Sequence, residues 1–555
     1  MKAALKWGGA LVALLVVTVG AVAWFSPITL ILAYAGWMKS KVAPNHSVTW
    51  EQGPAQAPAG DRPPNIVVIA VDDMGYNDIT LHGGGIAGGA VPTPNINAIA
   101  QTGVEFANGY AGNATCAPSR AAILTGRYAT RFGFEFTPVP PVYPRLMAAL
   151  HRGEENAKLH PLYVDKAAEK ALPAMDDEAI PTREITIAGM LKPRGYHTVH
   201  IGKWHLGSRP GTRPENKGFD ESLGFMPGAA MYLKENDPGV VNAKVAFDPM
   251  ERILWRGANW GVQYNGSPLF EPQGYMTDYL TDQAMATIHA NRNRPFLLYY
   301  APSSVHTPLQ ATRADYDALP QIGDHTTRVY AAMIRNLDRN IGRLMAQLRR
   351  DGLDDNTLVV FTSDNGGTQY IGLNGLNAPY RGWKATFFEG GLHVPFFMRW
   401  PGHIRPGSHY AEPVAHVDIA ATAAGVAGAL MPRDRVMDGV DLMPFVTGHA
   451  QGAPHKTLFW RSGGDTVVIE DGWKLQRSTI PKRLWLYDLK SDPTEKRNLA
   501  TAEPARARAL EAVMNRISAE QAKPLWPAAV AAPIPIDKPG GVLLKPGDAV
   551  VYWNN

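Results

Sequence analysis

The sequence predicts an α/β protein with a large, mainly parallel sheet flanked by helices and a smaller C-terminal α+β subdomain that contains an antiparallel sheet. Continuous apolar runs alternate with helical patterns along most of the chain, as expected of strands that are buried on both faces. After residue 450, short strand-like pieces follow one another directly, which indicates the antiparallel sheet. The chain of 555 residues is long enough for both units.

The N-terminal segment is typical of a membrane-targeting sequence. Residues 7–38 include no charged side chain, and lysines lie on both sides of this run. We expect residues 1–41 to be either a cleaved signal peptide or an uncleaved membrane anchor. Small residues at 21–23 and 33–35 suit a cleavage site, whereas a run longer than the roughly 20 residues that span a bilayer suits an anchor. Both alternatives predict that the body is exported, to a periplasmic or extracellular location. Residues 42–64, rich in Pro and Ala, predict a linker.

Four apolar runs in the predicted catalytic domain, residues 65–450, end in residues that can carry chemistry. The runs are residues 65–71, 197–201, 295–300 and 358–362. They lead respectively to Asp72 with Asp73, to Lys203 with His205, to His306, and to Asp364 with Asn365. Ligands bind at the carboxyl edge of open parallel sheets, so we expect these side chains to share one site. Taken singly, each residue is also typical of a turn, a helix cap or a solvated surface.

Helical patterns lie between these runs. Thr93 precedes Pro94 at a predicted helix start, and apolar residues recur at helical spacing over residues 326–349. These patterns predict helices that cover the faces of the sheet.

The single cysteine of the chain lies where a loop enters a predicted helix. Residues 116–127 read Cys-Ala-Pro-Ser-Arg-Ala-Ala-Ile-Leu-Thr-Gly-Arg. Pro118 suits the first turn of a helix, so we place Cys116 at a helix N-terminus, an end that favours anions. Taken alone, the cysteine fits a buried small apolar residue as well as a reactive group.

The pattern Cys-x-Pro-Ser-Arg followed by Leu-Thr-Gly-Arg resembles the signature of the type I sulfatases of the alkaline phosphatase superfamily. In that family a maturation enzyme oxidises the cysteine to formylglycine. The resemblance implies an alkaline phosphatase-like fold, hydrolysis of aryl or carbohydrate sulfate esters, and Cys116 as the precursor of the nucleophile. The implied partners are a sulfated small molecule or glycan as substrate and the formylglycine-generating enzyme.

The resemblance also implies which residues form the site. The implied metal ligands are Asp72, Asp73, Asp364, Asn365 and modified Cys116. Such oxygen ligands suit a hard cation, and we expect Ca²⁺ ahead of Mg²⁺. The implied catalytic residues are Cys116, Arg120, Lys203, His205, His306 and Lys384.

Each implied catalytic residue has an implied role in cleaving the ester. Arg120 and Lys203 would orient the hydrated aldehyde. His306 and Lys384 would protonate the leaving alcohol. His205 would assist loss of a proton from the second hydroxyl of the hydrated aldehyde, which expels sulfate.

The C-terminal part carries no chemistry of its own in this interpretation. Residues 451–522 predict a small antiparallel-sheet subdomain with one helix, and residues 523–555 predict an extended tail. Residues 486–499, which contain Leu-Tyr-Asp-Leu and Asp-Pro-Thr-Glu, resemble the end of many sulfatases.

Composition excludes one class of partner, and two alternative functions stay open. A formal charge of +4 and the absence of a basic run with interleaved aromatic residues argue against nucleic-acid binding. One alternative is a phosphonate monoester or phosphodiester hydrolase of the same superfamily. The other is a membrane-tethered binding protein on an inactive sulfatase scaffold.

Overall fold

A nine-stranded sheet runs through the part of the chain described by the structure, a computed structural model that covers residues 7, 36, 39–57 and 62–555. From one edge to the other, its strands are Ser408–Tyr410, Val104–Phe106, Phe396–Arg399, Thr357–Ser363, Asn65–Val71, Phe296–Ala301, His197–Lys203, Glu221–Phe225 and Gln263–Tyr264. The central strands, from Thr357–Ser363 to Glu221–Phe225, are mutually parallel. Antiparallel strands occur only towards the edges of this sheet among the described residues.

Both faces of the sheet are covered. Ile66 and Val68 pack into one hydrophobic cluster, whereas Val67 and Ile69 pack into another, because alternate residues of a strand point to opposite faces. The principal helices on these faces are Pro94–Gln101, Cys116–Thr125, Met276–Ala290, His325–Arg350 and Val417–Val426. The predicted strands and helices of this domain are therefore present.

The remaining elements of this domain are short and lie in the connections. The helices are Ile86–Gly89, Tyr143–His151, Lys166–Ala171, Ile187–Leu191, Pro249–Gly257, Arg313–Asp317, Glu389–Leu392 and Met443–Val446. The strand pairs are Gly109–Tyr110 with Val414–Ala415, and Val240–Ala243 with Leu309–Thr312.

The C-terminal part forms the predicted antiparallel sheet. Its strands are Thr457–Ser462, Asp465–Glu470, Trp473–Thr479 and Lys482–Asp488, and they pair in chain order. The helix Pro504–Ala519 packs on this sheet through a shared hydrophobic cluster. The predicted α/β class with a C-terminal antiparallel sheet is confirmed.

The last residues do more than extend along the surface. Strands Val530–Pro535 and Val550–Asn554 pair with each other, and the first of them also pairs with Tyr163–Val164. The predicted tail thus contains a strand pair that adds to a strand from the middle of the chain.

The described part of the predicted linker packs on the domain. Ala43 forms a bridge to Phe270, and buried Trp50 donates through Nε1 to Oε1 of Gln283 at 2.8 Å. The predicted signal peptide or anchor lies outside the described residues, apart from residues 7, 36 and 39–41. Among the helices that the structure describes, none has both the length and the apolarity needed to cross a membrane.

Candidate active site

The carboxyl ends of two central strands bring the acidic residues together. Strands Asn65–Val71 and Thr357–Ser363 pair in parallel with Val71 opposite Ser363. The next residues are therefore neighbours, and the Asp73 backbone N–H donates to Oδ1 of Asp364 at 3.2 Å. Both carboxylates are buried, so their charge requires nearby cations.

Cys116 is the first residue of the helix Cys116–Thr125, as the sequence predicts. It is buried, and its Sγ lies 3.9 Å from Oδ1 of Asp73. Burial alone would raise the pKa of the Cys116 thiol, but the charges of Lys203 and Lys384 outweigh it and lower the pKa to about 7. The site therefore favours an anion at this position.

Three cationic side chains balance the three carboxylates. Lys203 Nζ lies 2.8 Å from Oδ2 of Asp72, Lys384 Nζ lies 2.6 Å from Oδ1 of Asp73, and Arg120 Nε lies 2.8 Å from Oδ2 of Asp364. The Arg120 and Lys203 side chains are fully buried, and that of Lys384 is 11% exposed. Arg120 also lies 3.5 Å from Oδ1 of Asp72, and the charges of Lys203 and Lys384 reach Cys116.

The two predicted histidines lie in different electrostatic surroundings. His306 Nε2 is 3.6 Å from Oδ2 of Asp73. Burial would lower the pKa of His306, but the nearby Asp73 and Asp72 carboxylates raise it above its ordinary value. For His205, burial and the charges of Lys203 and Arg120 all hold the pKa well below its ordinary value. One histidine is thus suited to carry a proton and the other to be neutral.

The His205 ring is confined by backbone. His205 has a left-handed φ of 61°, and its Nδ1 has no hydrogen-bond partner in the described part of the chain. Gly228 approaches the ring so closely that an added Cβ would lie 2.7 Å from both Cε1 and Nε2. The loop that contains Gly228 therefore limits the position of this imidazole.

The donor set fits a hard divalent cation. Ligand atoms of Asp72, Asp73, Cys116 and His306 lie within 4.8 Å of one another. The buried Oδ1 of Asn365 has no hydrogen-bond partner among the described residues, so this acceptor is available to a ligand beside these groups. Carboxylate and amide oxygens are the ligands that Ca²⁺ and Mg²⁺ prefer. The residues therefore fit the metal that the resemblance implies.

The structure brings all of the sequence-predicted site residues to one edge of the sheet, and their roles stay predictions. It also adds Tyr370, whose hydroxyl donates to Oδ2 of Asp73 at 3.0 Å. Tyr232 is a second addition, since its hydroxyl donates to the His306 backbone oxygen at 3.0 Å. Both tyrosines come from irregular segments without periodicity, and no signal in the sequence pointed to them.

Comparison with known proteins identifies the family. The family model described as Sulfatase matches residues 64–429, and the model described as N-sulphoglucosamine sulphohydrolase, C-terminal, matches residues 381–523. Mouse (Mus musculus) N-acetylgalactosamine-6-sulfatase is 33% identical over 429 residues, which cover 75% of this chain and 72% of that protein. Mouse steryl-sulfatase is 32% identical over 471 residues, covering 73% of this chain and 68% of that protein.

Solved structures agree with this assignment. The structure of Ps i-CgsB in complex with k-i-k-neocarrahexaose has a TM-score of 0.69 and 28% identity, and the match covers 84% of this chain and 95% of that chain. The phosphonate monoester hydrolase of Agrobacterium radiobacter, at 18% identity and a TM-score of 0.55 with 82% and 96% covered, shares the fold alone. The phosphonate hydrolase alternative is therefore not favoured.

The family model spans more than half of the chain, and the curated relatives named above are sulfatases at about one-third identity over most of it. The resemblance and the alkaline phosphatase-like fold predicted from the sequence are both confirmed. The chain belongs to the sulfatase family and is a hydrolase of sulfate esters.

Proposed function

We propose that this sulfatase hydrolyses aryl or carbohydrate sulfate esters with a formylglycine derived from Cys116 and a bound Ca²⁺ ion. One observation carries the proposal: Cys116 lies at a helix N-terminus, 3.9 Å from Asp73, in the same buried site as Lys203 and Lys384. When bound, the cation would neutralise charge on the ester, and the formylglycine would supply the attacking oxygen.

The cationic side chains would bind and polarise the ester. A sulfate ester is an anion, and negative charge moves to the leaving oxygen as the S–O bond breaks. Preorganised positive groups stabilise that charge most effectively in a buried site. Arg120 and Lys203, which their carboxylate partners hold rigidly, would orient the modified residue and the sulfate oxygens.

Proton transfer would use the two histidines and the remaining lysine. Lys384 Nζ and His306 Nε2 both approach the Asp73 carboxylate, at 2.6 and 3.6 Å, so they face the same region beside Cys116. We assign them the protonation of the leaving alcohol. His205, whose Nδ1 has no hydrogen-bond partner among the described residues, would accept a proton from the modified residue.

The names of the relatives support two substrate classes. Steryl-sulfatase and N-acetylgalactosamine-6-sulfatase are named for a small-molecule ester and a sugar ester, and the similar structure named above holds an oligosaccharide. We therefore propose a sulfated small molecule or glycan as substrate. Side-by-side turnover of aryl, steroid and sugar sulfates, with a phosphonate ester as comparison, would assign the class; turnover of the phosphonate alone would contradict the proposal.

Formylglycine is tested directly by mass. The tryptic peptide that carries Cys116, from protein expressed in the native host, should have the mass of the aldehyde or its hydrate. An unmodified thiol throughout an active preparation would contradict the proposed nucleophile.

Cys116→Ala should lower kcat by at least about 10³-fold at an unchanged thermal midpoint, because the residue supplies the nucleophile. Activity retained in this variant would likewise contradict it.

We also propose that the protein is exported to the periplasm or the extracellular space, either cleaved or anchored. The uncharged run at residues 7–38 supports this proposal. Cell fractionation with N-terminal sequencing would distinguish the two forms. An activity confined to the cytoplasm would contradict both.

A further inference from the structure

We propose that a buried ion cluster formed by Glu389, Lys474 and Glu495 positions the wall of the active site that carries Lys384. Lys474 and Glu495 belong to the C-terminal part of the chain, and Glu389 belongs to the segment 381–392. These are positioning residues, since they touch neither the reacting atoms nor the metal ligands. The consequence for catalysis depends on the proposed role of Lys384, but the positioning itself does not.

The cluster is completely withdrawn from water. Lys474 Nζ lies 2.8 Å from Oε1 of Glu389 and 2.8 Å from Oε1 of Glu495. The three side chains are at most 2% exposed. Lys474 comes from the strand Trp473–Thr479, the third of the C-terminal sheet. The ammonium group of Lys474 therefore joins the C-terminal subdomain to the segment 381–392.

Glu389 is held through its backbone as well as its side chain. Its N–H donates to Oε2 of Glu495 at 2.6 Å. Its Oε2 lies 3.1 Å from Nδ1 of His393 and accepts the Tyr110 hydroxyl at 3.1 Å. With Lys474, four side chains therefore hold this residue, and all of them except that of His393 are distant in sequence.

The turn that follows Glu389 contacts the backbone next to Asn365 and also the segment that carries Lys384. Gly366, the residue after Asn365, donates to the Gly391 backbone oxygen at 3.1 Å. A Cβ on Gly366 would lie only 1.8 Å from the Gly390 oxygen, so the two backbones are in direct contact. Gly390 in turn donates to the Arg381 oxygen at 2.7 Å, which closes the segment 381–390 around Lys384. A shift at Glu389 would therefore reach both Lys384 and Asn365.

Ionic groups suit this task better than apolar ones. Burying three charges is costly, and well-packed hydrophobic residues would stabilise the fold as well or better. Charged hydrogen bonds, however, impose direction as well as proximity. Residues 486–499 resemble the end of other sulfatases but take no part in the proposed chemistry. The cluster gives Glu495, which lies in this stretch, a physical role.

The experiment compares Lys474→Met and Glu495→Gln with two controls in the full-length protein. Arg477→Met removes an ion pair from the same strand, at the partly exposed contact with Glu511. Met514→Ala opens a cavity in the helix that packs on the same sheet, and so destabilises the subdomain without removing a charge. Amide hydrogen exchange over residues 381–392 and the kcat and KM for 4-nitrophenyl sulfate are measured for each.

For both cluster variants we expect faster exchange over residues 381–392 and a kcat lowered about 10-fold, with KM changed by less than about twofold, because Lys384 is displaced from its position. The two controls should retain the exchange pattern of this segment and the parental kcat. Unchanged exchange in the cluster variants, or an equal loss of kcat in Met514→Ala, would overturn the proposal. If the parent enzyme hydrolyses no sulfate ester, the proposed function fails, whereas the exchange comparison still decides the positioning role.

Discussion

A single methyl group at Gly228 should disable the active site. A Cβ there would lie 2.7 Å from two atoms of the His205 ring, whereas ordinary contacts begin at 3.4 Å. The buried ring would have to move by about 0.7 Å, the difference between these distances. Since a misplacement of about 1 Å can cost 10²-fold in rate, we expect Gly228→Ala to lower kcat by about 10- to 100-fold. Gly228 does not have a left-handed φ, so alanine fits its backbone.

The assay is steady-state hydrolysis of an aryl sulfate, with the thermal midpoint measured in parallel. Gly323→Ala is the matched control, because no described heavy atom lies within 4 Å of its added Cβ and its φ is not left-handed. The control should keep its full activity, and both variants should unfold within a few degrees of the parent. A Gly228→Ala enzyme with kcat within about twofold of the parent would refute the reasoning, since the ring would then tolerate the displacement.

Two further predictions concern Tyr370 and Asp78. Tyr370→Phe removes the hydrogen bond to Asp73, so Ca²⁺ affinity measured by calorimetry should fall about 10-fold, and an unchanged affinity would exclude this orienting role. Burial raises the pKa of Asp78 to about 7, despite hydrogen bonds from Tyr330 and the Gly75 N–H. The folded state therefore keeps a proton that the unfolded state releases near pH 4, so the contribution of Asp78 to stability should fall by about 4 kcal/mol as pH rises from about 4 to 7. Asp78→Asn should remove this fall in urea unfolding, and an identical pH profile in the variant would contradict it.

The carboxyl ends of the strands made most of the site predictable. Buried parallel strands read as continuous apolar runs, so the residues that follow them were visible without any tertiary information. Asp72, Asp364 and His306 were recognised in this way. The motif at residues 116–120 added the helix start and the family. These signals are local in the sequence, and the fold brings the residues that carry them to a common edge of the sheet.

Contacts that depend on distant segments were not predictable. Gly228 approaches His205 from an irregular loop, and Tyr370 reaches Asp73 across almost 300 positions of sequence. The predicted linker packs on the domain through Trp50. The composition of the linker did not indicate this contact, because one aromatic residue hardly changes a Pro- and Ala-rich segment. Each of these contacts is set by how the loops pack, and loop packing has no periodicity from which to read it.

The charges of the site predict that the cation and the anionic ester bind cooperatively. The paired groups are Asp72, Asp73 and Asp364 with Lys203, Lys384 and Arg120. Ionised, these six side chains sum to zero, so a divalent cation would make the site doubly positive, and inorganic sulfate, a dianion, would then restore neutrality. Charges interact more strongly in a buried site than in water, and linkage makes the effect reciprocal. Calorimetric titration should therefore show Ca²⁺ affinity raised about fivefold or more by saturating inorganic sulfate. An affinity that sulfate leaves unchanged would mean that the lysines and the arginine bind the anion without help from the metal.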